Sequence, residues 1–146
     1  MSRFPITGKN MLRLIPQREP VVLVSSLEAY TETSLLASYV VPRRGIFVSE
    51  GCLIESGLLE HMAQSVALHT GYSYFLRNEE APTGYIGAMP KLEIFGLPKM
   101  GERVFSKVEI LQEFMGITLV SIETRLDGEL IACARMKTVI AQDEPA

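Results

Sequence analysis

Residues 53–76, LIESGLLEHMAQSVALHTGYSYFL, decide the fold of this 146-residue chain. The segment contains no proline, and its leucine, methionine, alanine and glutamine residues favour a helix with Ser56 as the predicted N-cap. Its apolar side chains cover most of the helical circumference: Leu58, Leu59, Met62, Ala63, Val66, Ala67 and Leu68. A helix that is apolar on nearly every side must be buried on nearly every side. We therefore predict one long central helix that other elements enclose.

The segments that flank this helix have the apolar alternation and the turn residues of antiparallel strands. We predict a short helical segment at 10–14, strands at 21–30 and 34–41, a loop at 45–51, and strands at 83–88, 91–94, 103–112, 116–126 and 129–141. Asp127-Gly128 joins the last two strands as a hairpin turn. Because only one long helix can cover these strands, we predict a single α+β domain over residues 1–146, with a curved antiparallel sheet wrapped around the helix.

The composition narrows the possible functions. Hydrophobic residues make up 47% of the chain and the net charge is −3, with no cluster of basic residues, which argues against nucleic-acid binding. No apolar run is long enough to cross a membrane and the N-terminus lacks the core of a signal peptide, so we expect a cytoplasmic protein. Cys52 and Cys133 are predicted to be reduced thiols, although a disulfide stays open. The two histidines have no metal-ligand spacing, and we predict no metal or cofactor.

Four short motifs follow one another along the chain: Leu14-Ile-Pro-Gln-Arg-Glu-Pro-Val-Val-Leu-Val24, Leu58-Leu-Glu-His-Met-Ala-Gln64, Ile86-Gly-Ala-Met-Pro-Lys91 and Asp127-Gly-Glu-Leu-Ile-Ala132. In order and spacing they resemble motifs of the bacterial β-hydroxyacyl-[acyl-carrier-protein] dehydratases of the hotdog superfamily. The stretch 59–69 also resembles hotdog dehydratase-like proteins of bacterial aryl-polyene and flexirubin-type pigment clusters. The resemblance implies the hotdog fold, a dimer, and a site at the dimer interface that uses residues of both subunits.

The resemblance also implies a chemistry, the removal of water from a β-hydroxyacyl thioester. In this family a loop histidine and a carboxylate on the buried helix transfer the protons, while backbone amides polarise the thioester carbonyl. Glu60 matches the carboxylate, and Gln64 follows it four residues later on the same helical face. The amides of Gly57 and Ala88 are candidate carbonyl donors by analogy. A carboxylate in so apolar a run needs a polar partner, and Glu60 could instead only stabilise the core or the dimer.

The family histidine is missing from this chain. Counting back from Glu60, the histidine of the family's Gly-His-Phe motif falls on Ile46, and Gln17 replaces the histidine of the opening motif. Isoleucine cannot exchange a proton, so the usual histidine–carboxylate pair is broken. In the same loop, Phe47 and Ser49 are candidate substrate-binding residues with Ile46. Glu50 is either a replacement base, because it aligns with the second loop histidine, or a solvated carboxylate.

The two histidines that the chain does contain are poorly placed to substitute. His61 lies about 100° around the helix from Glu60, and His69 lies on roughly the opposite face. Both are more typical of satisfied interior histidines than of bases. The expected partner is an acyl-carrier protein or a CoA thioester. Five cations could meet an acidic carrier or could be ordinary surface charges: Arg43, Arg44, Lys91, Lys99 and Arg103.

Three functions therefore stay open at the level of the sequence. The first is a dehydratase whose base has been replaced, with Glu60 as the acid. The second is a catalytically incomplete hotdog subunit that binds acyl thioesters or pairs with an active homologue, which supplies a histidine to Glu60 across the interface. The third is a thioesterase that uses one carboxylate and a water. Homodimers, higher homo-oligomers and hetero-oligomers are all compatible with these functions.

Overall fold

An antiparallel seven-stranded sheet curves around one long helix in the computed structural model, which describes residues 3–82 and 84–140. The α+β architecture predicted from the sequence is confirmed. In chain order the elements are β1 (Ile6–Thr7), α1 (Gly8–Leu12), β2 (Ser26–Thr31), β3 (Ser34–Val40), β4 (Val48–Ser49), β5 (Cys52–Leu53), α2 (Glu55–Leu76), β6 (Gly84–Ile94), β7 (Arg103–Phe114), β8 (Ile117–Leu126) and β9 (Glu129–Ile140). Within these residues, no helix is both long and apolar enough to cross a bilayer.

The order of strands leaves β6 at one edge of the sheet. The strands lie in the order β1-β2-β3-β7-β8-β9-β6, and β4 and β5 form a separate small hairpin. The predicted strands at 83–88 and 91–94 are one strand, whose register with β9 shifts on both sides of Ala88. Pro90 lies inside β6 because a proline, which lacks the N–H donor, is tolerated on an edge strand. Thr83 and Ala141, which the sequence assigned to strands, lie outside the described residues.

Most of α2 is buried, as its composition predicted. Leu58, Met62 and Leu68 are fully buried against the sheet. One stripe of the helix stays half-exposed in the single chain, and its members recur at spacings of three and four residues: Leu59, Ala63, Ala67, Thr70 and Tyr74, with Glu60 beside them. The prediction of burial on nearly every side is therefore met within one chain except along this stripe.

The start of α2 differs from the predicted start. The helix begins at Glu55 rather than Leu53, and its N-cap is Ile54, which makes no side-chain capping bond; Ser56 lies inside the first turn. Leu53 is extended because it pairs with Val48 and because its N–H donates to the Pro98 carbonyl at 2.9 Å. The β4–β5 hairpin thus occupies part of the segment predicted as an irregular loop.

The N-terminal segment packs against the C-terminal half of α2 at Gly71. A Cβ atom at Gly71 would lie 1.8 Å from the carbonyl oxygen of Leu14, so only glycine allows this approach. A cavity of about 510 Å³ opens beside this contact, lined in part by Arg13, Tyr72 and Phe75. It lies at the opposite end of α2 from Glu60.

Gly71→Ala tests this packing, because two effects of opposite sign compete. Replacing glycine by alanine inside a helix ordinarily stabilises it by about 1 kcal/mol. Here the backbone clash with Leu14 should dominate and lower the free energy of unfolding by roughly 2–3 kcal/mol in urea titrations. Gly57→Ala is the comparison variant: its Cβ would lie 2.7 Å from Leu53 Cδ1 and from Phe47 Cβ, but none of its three nearest neighbours is a backbone atom, so the loss should be smaller than for Gly71→Ala. A Gly71→Ala protein more stable than wild type would contradict the packing.

Candidate functional site

Gln64 fastens α2 to the chain segment that precedes β2. Its Nε2 donates to the Val21 carbonyl at 2.7 Å, and its Oε1 accepts from the Leu23 N–H at 2.8 Å. The amide therefore bonds the segment as a neighbouring strand would, and residues 21–25, which the sequence assigned to a strand, lie outside β2. The side chain is fully buried, so these bonds form away from water.

Glu60 receives the remaining donor of the same amide. Nε2 of Gln64 lies 3.0 Å from Oε1 of Glu60, so the predicted pair on one helical face is present. Glu60 is half-buried at the edge of the exposed helical stripe. Among residues 3–82 and 84–140, no lysine, arginine or histidine lies within ion-pair distance of this carboxylate. Glu60 is thus oriented by a neutral amide and is partly open to a ligand or to another subunit.

His61 is fully buried and hydrogen-bonded through both ring nitrogens. Nδ1 lies 2.7 Å from the Leu23 carbonyl, which can only accept, so Nδ1 carries the proton. Nε2 then accepts from the Ser106 hydroxyl at 2.8 Å, and Ser106 contacts the Thr124 hydroxyl at 2.7 Å. Burial lowers the pKa of His61 to about 4. The ring is an interior group with its bonding capacity filled, and it is not available as a base next to Glu60.

His69 is likewise an interior group. Its Nε2 lies 3.0 Å from the Thr31 carbonyl, and its ring stacks on Tyr30 with the centroids 4.9 Å apart. Burial also lowers the pKa of His69. Neither histidine of the chain is therefore free to act with Glu60.

The loop that carries Ile46 is fixed to the start of α2. The N–H of Ile54 donates to the Phe47 carbonyl at 2.9 Å. Gly57 allows the close approach, since a Cβ there would lie 2.7 Å from the Cβ of Phe47. Ile46 itself is 60% exposed, which is unusual for an isoleucine and leaves its side chain available for a contact.

Ser49 and Glu50 lie at the exposed tip of the β4–β5 hairpin. Glu50 has a positive φ of 52° and forms the turn with Gly51, which places it away from the base of the loop. No hydrogen bond or ion pair joins Ser49 or Glu50 to Glu60 in the described part of the chain. The hypothesis that Glu50 replaces the missing base has no support within one subunit.

Ala88 lies on the exposed edge strand β6, where the register with β9 is irregular. The predicted donors Gly57 and Ala88 thus belong to two different elements. Of the five cations proposed to meet a carrier protein, Arg103 is engaged inside the chain. It donates to Ser38 Oγ at 2.9 Å and lies 3.9 Å from Glu28 Oε1.

A cleft of about 340 Å³ lies under the Ile46 loop, and we call it the loop cleft. Its lining combines apolar side chains with two charged side chains, Glu19 and Arg44, and with the hydroxyls of Ser25 and Tyr39. Its lining residues are Glu19, Pro20, Val22, Leu23, Val24, Ser25, Tyr39, Val40, Pro42, Arg44, Gly45, Ile46, Phe47 and Val48. Glu60 is not among them, so Ile46 and Glu60, which the resemblance assigns to one kind of site, do not share a cleft within one chain. The motif analysis missed Glu19, Ser25 and Tyr39 because these residues lie at variable motif positions or outside the motifs.

Comparison with known proteins identifies the family. The model of the ApeP-like family, described as ApeP dehydratase, matches residues 9–145. The chain belongs to the ApeP-like dehydratase family. No curated protein sequence matches it. Within the described residues, no group of three or more histidine, cysteine, aspartate or glutamate side chains could hold a metal ion.

Solved structures confirm the hotdog fold of this ApeP-like chain. The dehydratase heterocomplex ApeI:P from Xenorhabdus doucetiae superposes with a TM-score of 0.83 at 18% identity, covering 91% of each chain. An uncharacterized protein from Pyrococcus horikoshii, PH1136, gives 0.69 at 12% identity, covering 94% of this chain and 96% of its own. A putative thioesterase from Ralstonia eutropha, related to phenylacetic acid degradation, gives 0.62 at 16% identity, covering 78% and 83%.

Gln64→Leu tests the anchoring of the Val21–Leu23 segment. The substitution keeps the size of the side chain but leaves the Val21 carbonyl and the Leu23 N–H without their partner, so we expect the free energy of unfolding to fall by about 2–4 kcal/mol. Gln17→Leu is the control, because Gln17 Oε1 is buried without a hydrogen-bond partner in the described residues. Its effect should stay within about 1 kcal/mol. Equal losses for the two variants in urea unfolding would argue against the anchor.

Acidification should destabilise the protein through His61. Its pKa is 6.5 in an exposed chain and about 4 when buried here, so below pH 6.5 the unfolded chain binds a proton that the folded chain excludes. The free energy of unfolding therefore falls between pH 6.5 and pH 4, by up to about 3 kcal/mol from this group. His61→Asn should flatten this pH dependence in urea titrations, whatever its effect at pH 7. The same slope in variant and wild type would rule out His61 as the source.

Proposed function

We propose that this protein is one subunit of a two-subunit acyl-thioester dehydratase, in which Glu60 works with a histidine supplied by a partner hotdog subunit. The observation that carries this proposal is the state of the proton-transfer groups. Glu60 is oriented by Gln64 and half-exposed, whereas both histidines of the chain are buried and hydrogen-bonded elsewhere. The position of the family histidine is Ile46. Glu60 is therefore oriented and accessible, but neither histidine of this chain can act as the base beside it. The base is proposed to come from another chain.

Two exposed surfaces of the chain suit such a partner. The edge strand β6 has unpaired backbone groups and carries exposed apolar side chains, including Tyr85, Ile86 and Leu92. An edge strand of this kind is a template for pairing with another chain. The half-exposed stripe of α2 lies on the helical face that the sheet of this chain does not cover. A second hotdog subunit that pairs at β6 would cover both surfaces. The similar structure from Xenorhabdus doucetiae is described as a heterocomplex of dehydratases, which supports unlike subunits over two identical ones.

The proposed reaction needs a base and an acid on one β-hydroxyacyl thioester. The partner histidine takes the α-proton, the bond from the β-carbon to its oxygen breaks, and protonated Glu60 gives its proton to the departing oxygen, which leaves as water. The proton on the histidine then returns to Glu60, so no co-reactant is consumed. Gly57 supports the thioester carbonyl in this scheme, because amides of the first helical turn have no intrahelical acceptor. Ala88 is the second donor proposed.

The acyl group is proposed to arrive on an acyl-carrier protein or on CoA, and Arg43 and Arg44, both exposed, are the proposed contacts of an acidic carrier. The single-domain organisation over residues 1–146 and the cytoplasmic location stay predictions. Thioester hydrolysis is the second candidate, since one carboxylate that orients a water can support it and a putative thioesterase shares the fold.

Complementation tests the proposal. A histidine-bearing hotdog dehydratase from the same genome, with its own helix carboxylate replaced by glutamine, is mixed with this protein and given β-hydroxybutyryl-CoA. Enoyl formation should depend on mixing and should fall at least about 100-fold with Glu60→Gln, which removes the acid but keeps the shape. Free thiol release is followed in parallel.

Three outcomes separate the alternatives. Enoyl product from this protein alone, lost with Glu60→Gln, would show that the base belongs to this chain and would reject the partner histidine. Thiol release that depends on Glu60 would establish hydrolysis instead. Turnover of the mixture that survives Glu60→Gln would remove Glu60 from the mechanism. Glu55→Gln, an exposed carboxylate five residues before Glu60 on the same helix, is the control and should leave turnover unchanged.

A further inference from the structure

Ile46 is presented at the surface although its neighbours are not. The side chains of Phe47 and Val48 pack against the core, whereas the Ile46 side chain stays mostly exposed. An isoleucine without a structural role in the core is ordinarily buried. The loop is therefore attached to the molecule through Phe47 and Val48, and the side chain of residue 46 is free to contact a ligand or another subunit.

The backbone around Ile46 is held by hydrogen bonds that do not involve its side chain. The N–H of Val48 donates to the Gly45 carbonyl at 3.2 Å, which closes a turn around residue 46. The Phe47 carbonyl accepts from the N–H of Ile54, the residue that precedes α2. Because both bonds are between backbone atoms, a different side chain at position 46 would leave the loop at the same place beside the start of α2.

Glu60 lies apart from this loop within one chain. It is on the second turn of α2, at the edge of the half-exposed stripe, and Gln64 orients its carboxylate. Ile46 lines the loop cleft, and Glu60 does not. The chain therefore carries two separate halves of a proton-transfer site, one with a carboxylate on the helix and one with an isoleucine on the loop.

Pairing with a subunit of the same fold has a symmetry consequence for these two halves. Two such subunits that meet through equivalent surfaces are related by an approximate two-fold axis, so each contact from one subunit to the other recurs in the opposite direction. The proposed partner places its loop histidine at Glu60. The same axis then places the loop of this chain, with Ile46, at the helix carboxylate of the partner. Each pair of subunits therefore has two sites, built from the same elements but with different residues.

We propose that the complex of this chain with its partner contains one reactive site and one silent site, and that Ile46 is the residue that silences the second. The inference rests on the proposed function, in which the partner supplies a histidine to Glu60. At the second site the partner's carboxylate faces an isoleucine, which has no group that can accept the α-proton of a thioester. A β-hydroxyacyl thioester that enters this site is not dehydrated. Because the loop backbone is independent of the side chain at position 46, an imidazole placed there should make the second site reactive.

Moving the activity from one site to the other tests this inference. We would purify the complex of this protein with a histidine-bearing hotdog dehydratase from the same genome, using a different affinity tag on each chain and leaving the partner's helix carboxylate intact. Enoyl formation from β-hydroxybutyryl-CoA should fall at least about 100-fold with Glu60→Gln, which disables the reactive site. Adding Ile46→His to Glu60→Gln should raise turnover again by at least about 10-fold. Ile46→Asn with Glu60→Gln is the matched control and should stay inactive, because an amide is not a base.

Ile46→His alone should raise the turnover of the complex by about two-fold, because both sites then work. Lower turnover in this variant would overturn the inference, since position 46 would then belong to the site of Glu60. A double variant as inactive as Glu60→Gln would overturn it too, as would restored turnover that survives replacement of the partner's helix carboxylate by glutamine. In these three cases the turnover that depends on Glu60 still supports the proposed function. Turnover of the complex that Glu60→Gln leaves unchanged would instead reject the proposed function and the inference together.

Discussion

Two carbonyls and one N–H of the Val21–Leu23 segment are bound by side chains of α2 rather than by a neighbouring strand. Gln64 bonds Val21 and Leu23, and His61 bonds the Leu23 carbonyl. Buried backbone groups need hydrogen-bond partners. Here two side chains of the helix form the hydrogen bonds that a neighbouring strand would otherwise form. The arrangement fixes the helix against the segment, and it fixes the Glu60 carboxylate through the last donor of Gln64. The same hydrogen bonds of Gln64 therefore orient Glu60 and hold the Val21–Leu23 segment, which lines part of the loop cleft.

His61 connects the Val21–Leu23 segment with β7 and β3. Here the histidine ring bonds Leu23 on one side, Ser106 on the other, and stacks on Tyr39. A residue that could be mistaken for a base next to Glu60 instead holds in place the aromatic wall of the loop cleft. The two positions therefore have different consequences. Isoleucine at position 46 removes a proton acceptor, whereas histidine at position 61 holds the Tyr39 ring in place.

Much of this architecture could be predicted from local sequence, because its signals are local. The uninterrupted apolar segment predicted the central helix, and Asp127-Gly128 predicted the last hairpin, where both residues take the left-handed conformation. The segment at 21–25 was assigned to a strand because its valines and leucine look the same whether their backbone bonds go to a strand or to Gln64 and His61. The pairing of Glu60 with Gln64 followed from helical spacing. The loop cleft did not follow from the sequence, since Glu19, Ser25 and Tyr39 come together only through the tertiary fold.

The exposed edge strand β6 has a consequence for the stability and association of the protein. β6 is an edge strand of eleven residues that exposes apolar side chains and backbone groups to water, and such a strand is a template for pairing with another chain. In the proposed two-subunit complex, pairing at this edge would add to folding stability by mass action, so the free energy of unfolding would rise with the concentration of the partner. Pro90 lies within this strand and carries no N–H, so it cannot donate a hydrogen bond to a strand beside it. The proposed partner would therefore have to pair with β6 without a hydrogen bond from position 90, and an exposed edge of this kind would favour aggregation if the subunit were alone.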